Sequence, residues 1–145
     1  MSLKYAIGKA YDDLVKKNWD TIYLSCDIHG TIFENDYNGL PTPIPDAIES
    51  LKIISSFKEV KLILWSSVFP KDQRYYVKIL SEAGVKVSYF NENPEVPNTK
   101  MGDFGEKFYF SVLIDDKAGF DPRSWRKVIN DWSVIRVKFR DIILK

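Results

Sequence analysis

The stretch "IYLSCDIHGTIF" (residues 22–33) decides how this chain is read. Its first half is short, apolar and β-branched, the composition of a strand buried on both faces. It then runs within five residues into an acid, a histidine, a glycine and a threonine. Ending a buried strand on a carboxylate is unfavourable unless the strand delivers that group to a useful surface. In a parallel α/β sheet that surface is the carboxyl edge of the strands, where ligands gather at the point of reversed strand order. Asp27 is therefore expected to be aimed at such an edge by the strand behind it.

Working outward, the same alternation of elements recurs. Residues 3–18 place Tyr5, Ala6, Ala10, Leu14 and Val15 at helical spacing among lysines and acids. After the strand over 21–26, "PDAIESLKIISSF" (45–57) reads as a helix with Pro45 and Asp46 in its first turn. "EVKLILWSS" (59–67) is a second strand, and "DQRYYVKILSEAG" (72–84) a helix closed by Gly84. "VKVSYF" (85–90) is a third strand, followed by a loop over 91–99. "FSVLI" (110–114) is a fourth strand, "SWRKVINDW" (124–132) a short helix, and "VIRVKF" (134–139) a fifth strand. The expected fold is α/β: a three-layer, Rossmann-like domain with a mostly parallel five-stranded sheet and helices on both faces. The 145 residues form a single domain, an amphipathic N-terminal helix over 1–20 and a core over 21–145.

Composition narrows the function classes. Hydrophobic residues make up 45% and aromatic residues 14%, which excludes a disordered chain. A formal charge of +1 supplies no bulk attraction to nucleic acid or a membrane surface. The single cysteine, Cys26, precludes an internal disulfide, and no apolar run approaches a membrane span. These features point to a cytoplasmic domain without membrane association. No G-x-x-x-x-G-K-[ST] occurs, so a P-loop has no support.

Polar residues follow the other strands as well. Ser66 ends "LILWS", Asp115 and Asp116 end "VLIDD", and Lys107 sits just before that fourth strand. Taken in order, "DIHGT", "LILWS", Lys107 and "VLIDD" resemble the four motifs of the haloacid dehalogenase superfamily of phosphatases and phosphotransferases. The resemblance covers residues 21 to about 123 and is nearest to small members without an inserted cap domain. It implies a magnesium-dependent phosphomonoesterase working through an aspartyl-phosphate. Asp27 would be the nucleophile, while Ser66 and Lys107 would hold the transferring phosphoryl group. Asp27, Asp115, Asp116 and the backbone carbonyl of His29 would form the Mg2+ site, with Asp116 acting directly or through water. Ser67 and Lys100 are the neighbouring alternatives to Ser66 and Lys107.

The chemistry asks for these residue types. A phosphate dianion repels an attacking carboxylate, so a divalent cation and a lysine must offset both charges. Magnesium takes carboxylates, phosphate oxygens and water. Gly30 lets the backbone turn close to the phosphate, and Thr31 can brace that turn with its hydroxyl. The pattern departs from the superfamily at His29, where a second aspartate usually serves as acid and base. Three readings stay open: a histidine performing both proton transfers, slow hydrolysis or phosphoryl transfer, or phosphate binding without turnover.

The segments between motifs leave no room for a cap, so only 34–41, with Tyr37, and 91–99, with Asn91 and Asn93, could roof the pocket. The expected partner is a phosphorylated small molecule or nucleotide, or a phosphate on a macromolecule.

Overall fold

Ile22–Asp27 forms β1, and in the computed structural model it is paired on both sides, as a doubly buried strand must be. The structure describes residues 2–34, 41–99, 102–104 and 107–143. Tyr37, with the rest of 35–40, and Lys100 therefore lie outside the described residues. β1 pairs in parallel with β2 (Val60–Trp65) on one side and β4 (Val112–Ile114) on the other. β3 (Val87–Phe90) extends the sheet beyond β2, giving the order β3-β2-β1-β4. From β1 the chain steps outward to β2 and β3, then crosses back to lay β4 on the opposite side of β1. Strand order therefore reverses between β1 and β4, and both Asp27 and Asp115 stand at that reversal.

The sheet has four strands among the described residues, where five were expected. The missing one is the stretch over 134–139, which forms the last turns of α4 (Trp125–Lys138) and its C-cap, Phe139. Its β-branched residues favour a strand locally, but Trp125, Val128, Trp132 and Ile135 recur on one helical face and are all buried. Val134 and Val137 are left 59% and 57% exposed. Burying two tryptophans outweighs a propensity difference of tenths of a kcal/mol per residue.

α1 (Leu3–Lys16), α2 (Ala47–Ser56), α3 (Pro70–Glu82) and α4 contribute to a single core with Ile22, Leu24, Cys26, Leu62, Leu64 and Ile114. A four-residue α5 (Arg140–Ile143) follows. The buried face of α1 is Ile7, Ala10, Tyr11 and Leu14, so Tyr5 and Val15 face solvent, against expectation. α3 ends as Gly84 requires: it adopts φ +94°, its N–H bonds Ser81 C=O, and Val85 N–H bonds Leu80 C=O. Asp46 does not enter α2. It takes φ +68° just before the helix and pairs with Arg126.

Among the described residues, the alternate side chains of the sheet meet the segment between β3 and β4 and no helix. Tyr23, Lys61 and Tyr89, one from each of three adjacent strands, all donate hydrogen bonds to the Glu95 carboxylate. Asn93, buried, donates to Tyr109 C=O and pins the same segment. The expectation of helices on both faces thus holds for one face. No helix among the described residues is long and apolar enough to cross a membrane.

Candidate active site

Asp27 is the last residue of β1, Asp115 the first beyond β4, and Asp116 begins a short 3-10 turn, Asp116–Ala118. Each offers one carboxylate oxygen, and these oxygens all lie within 4.8 Å of one another. The turn after Asp27 is built to hold them. Ile28 C=O accepts the N–H groups of Thr31, Ile32 and Phe33, which curls the chain into one helical turn. That turn buries Thr31 completely and sets its Oγ1 3.2 Å from Asp27 Oδ2 and 3.2 Å from Asp116 Oδ1. The Asp116 N–H donates to the same hydroxyl at 3.0 Å. A hydroxyl has one proton, so it donates to one carboxylate at a time while accepting from the amide.

Gly30 makes this approach possible. It adopts φ +82°, and a Cβ there would stand 2.6 Å from Asp116 Oδ2. Gly30→Ala is therefore expected to displace Asp116 and to destabilise the fold by about 1 kcal/mol from backbone strain alone. Loss of divalent-cation binding in titration calorimetry, with an otherwise native circular dichroism spectrum, is the expected result.

Crowding shows in the protonation of Asp27. Burial, then the charge of Asp115, then the hydrogen bond with Asp116 push its carboxyl up to about 7. A cation between the three groups would remove that penalty. The donor set is oxygen only, which suits a hard ion such as Mg2+. The residues fit such a metal.

The His29 ring turns away from the carboxylates, towards α3. Its Nε2 lies 2.6 Å from Tyr76 Oη, and the two rings meet edge to face at 5.2 Å. Burial pushes its imidazole below the ordinary value, with the charge of Asp72 opposing. Burial thus disfavours the protonated ring.

Ser66 follows directly on Trp65, which pairs with Asp27 across the sheet. Asn91 clamps it at two points: Ser66 N–H donates to Asn91 Oδ1 at 2.9 Å, and Asn91 Nδ2 donates to Ser66 C=O at 2.6 Å. Ser66 Oγ accepts from Val68 N–H. Lys107 is exposed and forms no ion pair with the three carboxylates. Its neighbour Phe108 packs on Trp65 with ring centroids 5.5 Å apart, which brings the stretch to the tip of β2.

Sequence reasoning missed two supports. Asn91, expected in a segment that could roof the pocket, instead positions Ser66 from a left-handed backbone at φ +58°. Trp125 donates its indole N–H to Thr31 C=O at 2.8 Å and anchors the turn from 94 residues away. No local pattern encodes a contact at that separation. Cys26 faces the core, where burial pushes its thiol up and leaves it inert. A cavity of about 700 Å³ lies at the other end of the sheet, lined by Tyr11, Trp19, Lys58, Glu59 and Phe139 among others, far from the carboxylates.

No protein-family model matches this chain, and no curated protein matches it. A solved structure, a conserved protein from Bacteroides thetaiotaomicron, is similar at 26% identity with a TM-score of 0.62. The match covers 84% of this chain and 97% of that chain, and it shows the same fold.

Proposed function

We propose that this protein is a magnesium-dependent phosphomonoester hydrolase that works through an aspartyl-phosphate on Asp27, as a small, capless member of the haloacid dehalogenase superfamily with a Rossmann-like core, acting in the cytoplasm. The observation that carries the proposal is the convergence of Asp27, Asp115 and Asp116 where strand order reverses, tied together by one buried hydroxyl.

Mg2+ held by Asp27, Asp115, the His29 backbone carbonyl and Asp116 would supply positive charge against the phosphate dianion. Asp27 attacks phosphorus through the carboxylate oxygen, and the bond to the ester oxygen breaks. Water then attacks the phosphorus of the acyl phosphate, releasing phosphate and restoring Asp27. The Ser66 hydroxyl and the Gly30 and Thr31 backbone hold the phosphoryl oxygens, and Lys107 swings from solvent to neutralise them. The His29 imidazole, once rotated from Tyr76 towards Asp27, takes the proton from the attacking water. As an acid for the leaving oxygen it is weak, so esters of good leaving groups are favoured. Substrates are phosphorylated small molecules or nucleotides.

The test is release of phosphate from an aryl phosphate in Mg2+, abolished by chelation. Turnover that survives full chelation overturns the mechanism. The engagement of His29 by Tyr76 favours a second reading, phosphate binding with very slow hydrolysis. His29→Asp separates the two. A large gain at every pH makes the native histidine an impairment, and a loss makes it the working base.

A further inference from the structure

Asp27 and Trp65 are direct partners in the β1–β2 register. Side chains alternate along a strand, so directly paired residues of neighbouring parallel strands point to the same face. The Trp65 and Asp27 side chains therefore leave the same face of the sheet from adjacent strands, which are spaced by ~4.8 Å. Trp65 is 43% exposed, whereas Trp125 and Trp132 are fully buried. It is also held in place: Phe108, 7% exposed, packs against it at a tilt of 58°, and Phe110 packs behind Phe108. Phe69, 74% exposed, stands at the N-cap of α3 four residues further on. A large apolar ring that is braced from behind and bare in front, next to the reacting group, is built to receive another ring.

We infer that Trp65 is the wall on which the substrate stacks, and that the substrates are phosphomonoesters whose esterified group carries a planar aromatic ring. The inference rests on the phosphomonoesterase reading and adds the substrate class to it. An aryl phosphate spans from Asp27 to Trp65 directly, and a nucleoside monophosphate spans it through the ribose. Glycerol and other aliphatic phosphates leave the indole bare.

The experiment is titration calorimetry on full-length Asp27→Asn protein in Mg2+, which binds without turnover, using adenosine 5′-monophosphate, phenyl phosphate and glycerol 3-phosphate. At least one aromatic probe is expected to bind more tightly than glycerol phosphate. Trp65→Leu, which keeps an apolar group against Phe108, should weaken that probe about 5- to 150-fold, the range one stacked ring confers. Glycerol phosphate should move less than twofold, and Trp65→Phe should retain most of the preference. Preference for the nucleotide alone assigns nucleotides; preference for phenyl phosphate alone assigns aryl esters. No aromatic preference, or an equal loss for all three probes in Trp65→Leu, overturns the inference. Wild-type hydrolysis, measured separately, tells the two failures apart. A Trp65-dependent preference without any turnover leaves the wall standing and removes the phosphatase. Turnover without the preference does the opposite.

Discussion

On the proposed mechanism, Asp27→Asn is expected to lower phosphate release by roughly 10³-fold or more, because Asp27 is the group that would carry the acyl phosphate. The same variant should be more stable than the parent when cations are removed at pH 8. The Asp27 carboxyl, ordinarily near 3.8, is pushed up to about 7 by burial and by Asp115. Between those values the folded state binds more protons than the unfolded one, so the cation-free parent loses stability as pH rises through that window. Above it the full penalty is present. Discounted for a carboxyl half open to solvent, that penalty is on the order of 1–2 kcal/mol. Asparagine carries no charge and escapes it, so the variant should melt roughly 2–8 °C higher at pH 8 and level with the parent near pH 4. Excess Mg2+ should reverse the order by stabilising the parent alone. Scanning calorimetry with and without chelator reads all of this. A variant less stable than the parent at pH 8 without cations would show that the three carboxylates do not repel one another.

A second large effect is expected far from the site. Arg136→Ala should destabilise the fold by about 3 kcal/mol at pH 7, or about 6–12 °C in Tm, because it strands a buried carboxylate. Glu59 is 3% exposed at the entrance to β2. It accepts from Arg136 Nε at 2.7 Å, Arg136 Nη2 at 3.1 Å and Tyr11 Oη at 2.6 Å. Trp132 in turn donates to Tyr11 Oη at 2.9 Å, so α1, α4 and β2 meet in one network. Burial pushes the Glu59 carboxyl up, but the hydrogen bonds from Arg136 and Tyr11 outweigh it and hold the group below its ordinary value. That contribution is present above the ordinary carboxylate range and is lost as pH falls through the lowered value. The difference between parent and Arg136→Ala should therefore shrink in acid, as Glu59 protonates in both. Urea denaturation at pH 7 and pH 4 measures it. A difference that stays constant with pH would mean that packing of the guanidinium on Phe57, at 4.2 Å, carries the effect instead of the charge.

The parts of this protein that could be read from the chain are those encoded over short distances. The doubly buried character of 22–26, the acid after it, the left-handed Gly84 and the acid pair after "VLI" are all local patterns, and the structure has them in those places. The stretch over 134–139 misled because its alternating β-branched residues satisfy a strand and a helix face alike. The choice was made by where Trp125 and Trp132 could be buried. The face of α1 was misjudged for a related reason: Tyr11 reads as amphipathic, and its burial depends on Glu59 and Trp132, 48 and 121 residues away.

Sequence by itself determined that this is an α/β chain with acids delivered to strand tips, since strand period, turn glycines and motif order are properties of neighbours. Only the tertiary structure decided that Asp27, Asp115 and Asp116 share one point, that His29 turns to Tyr76, and that a part-exposed Trp65 is paired in register with Asp27. Those relations depend on strand order and register. Both are set by which distant side chains can be buried together, and no stretch of sequence contains that on its own.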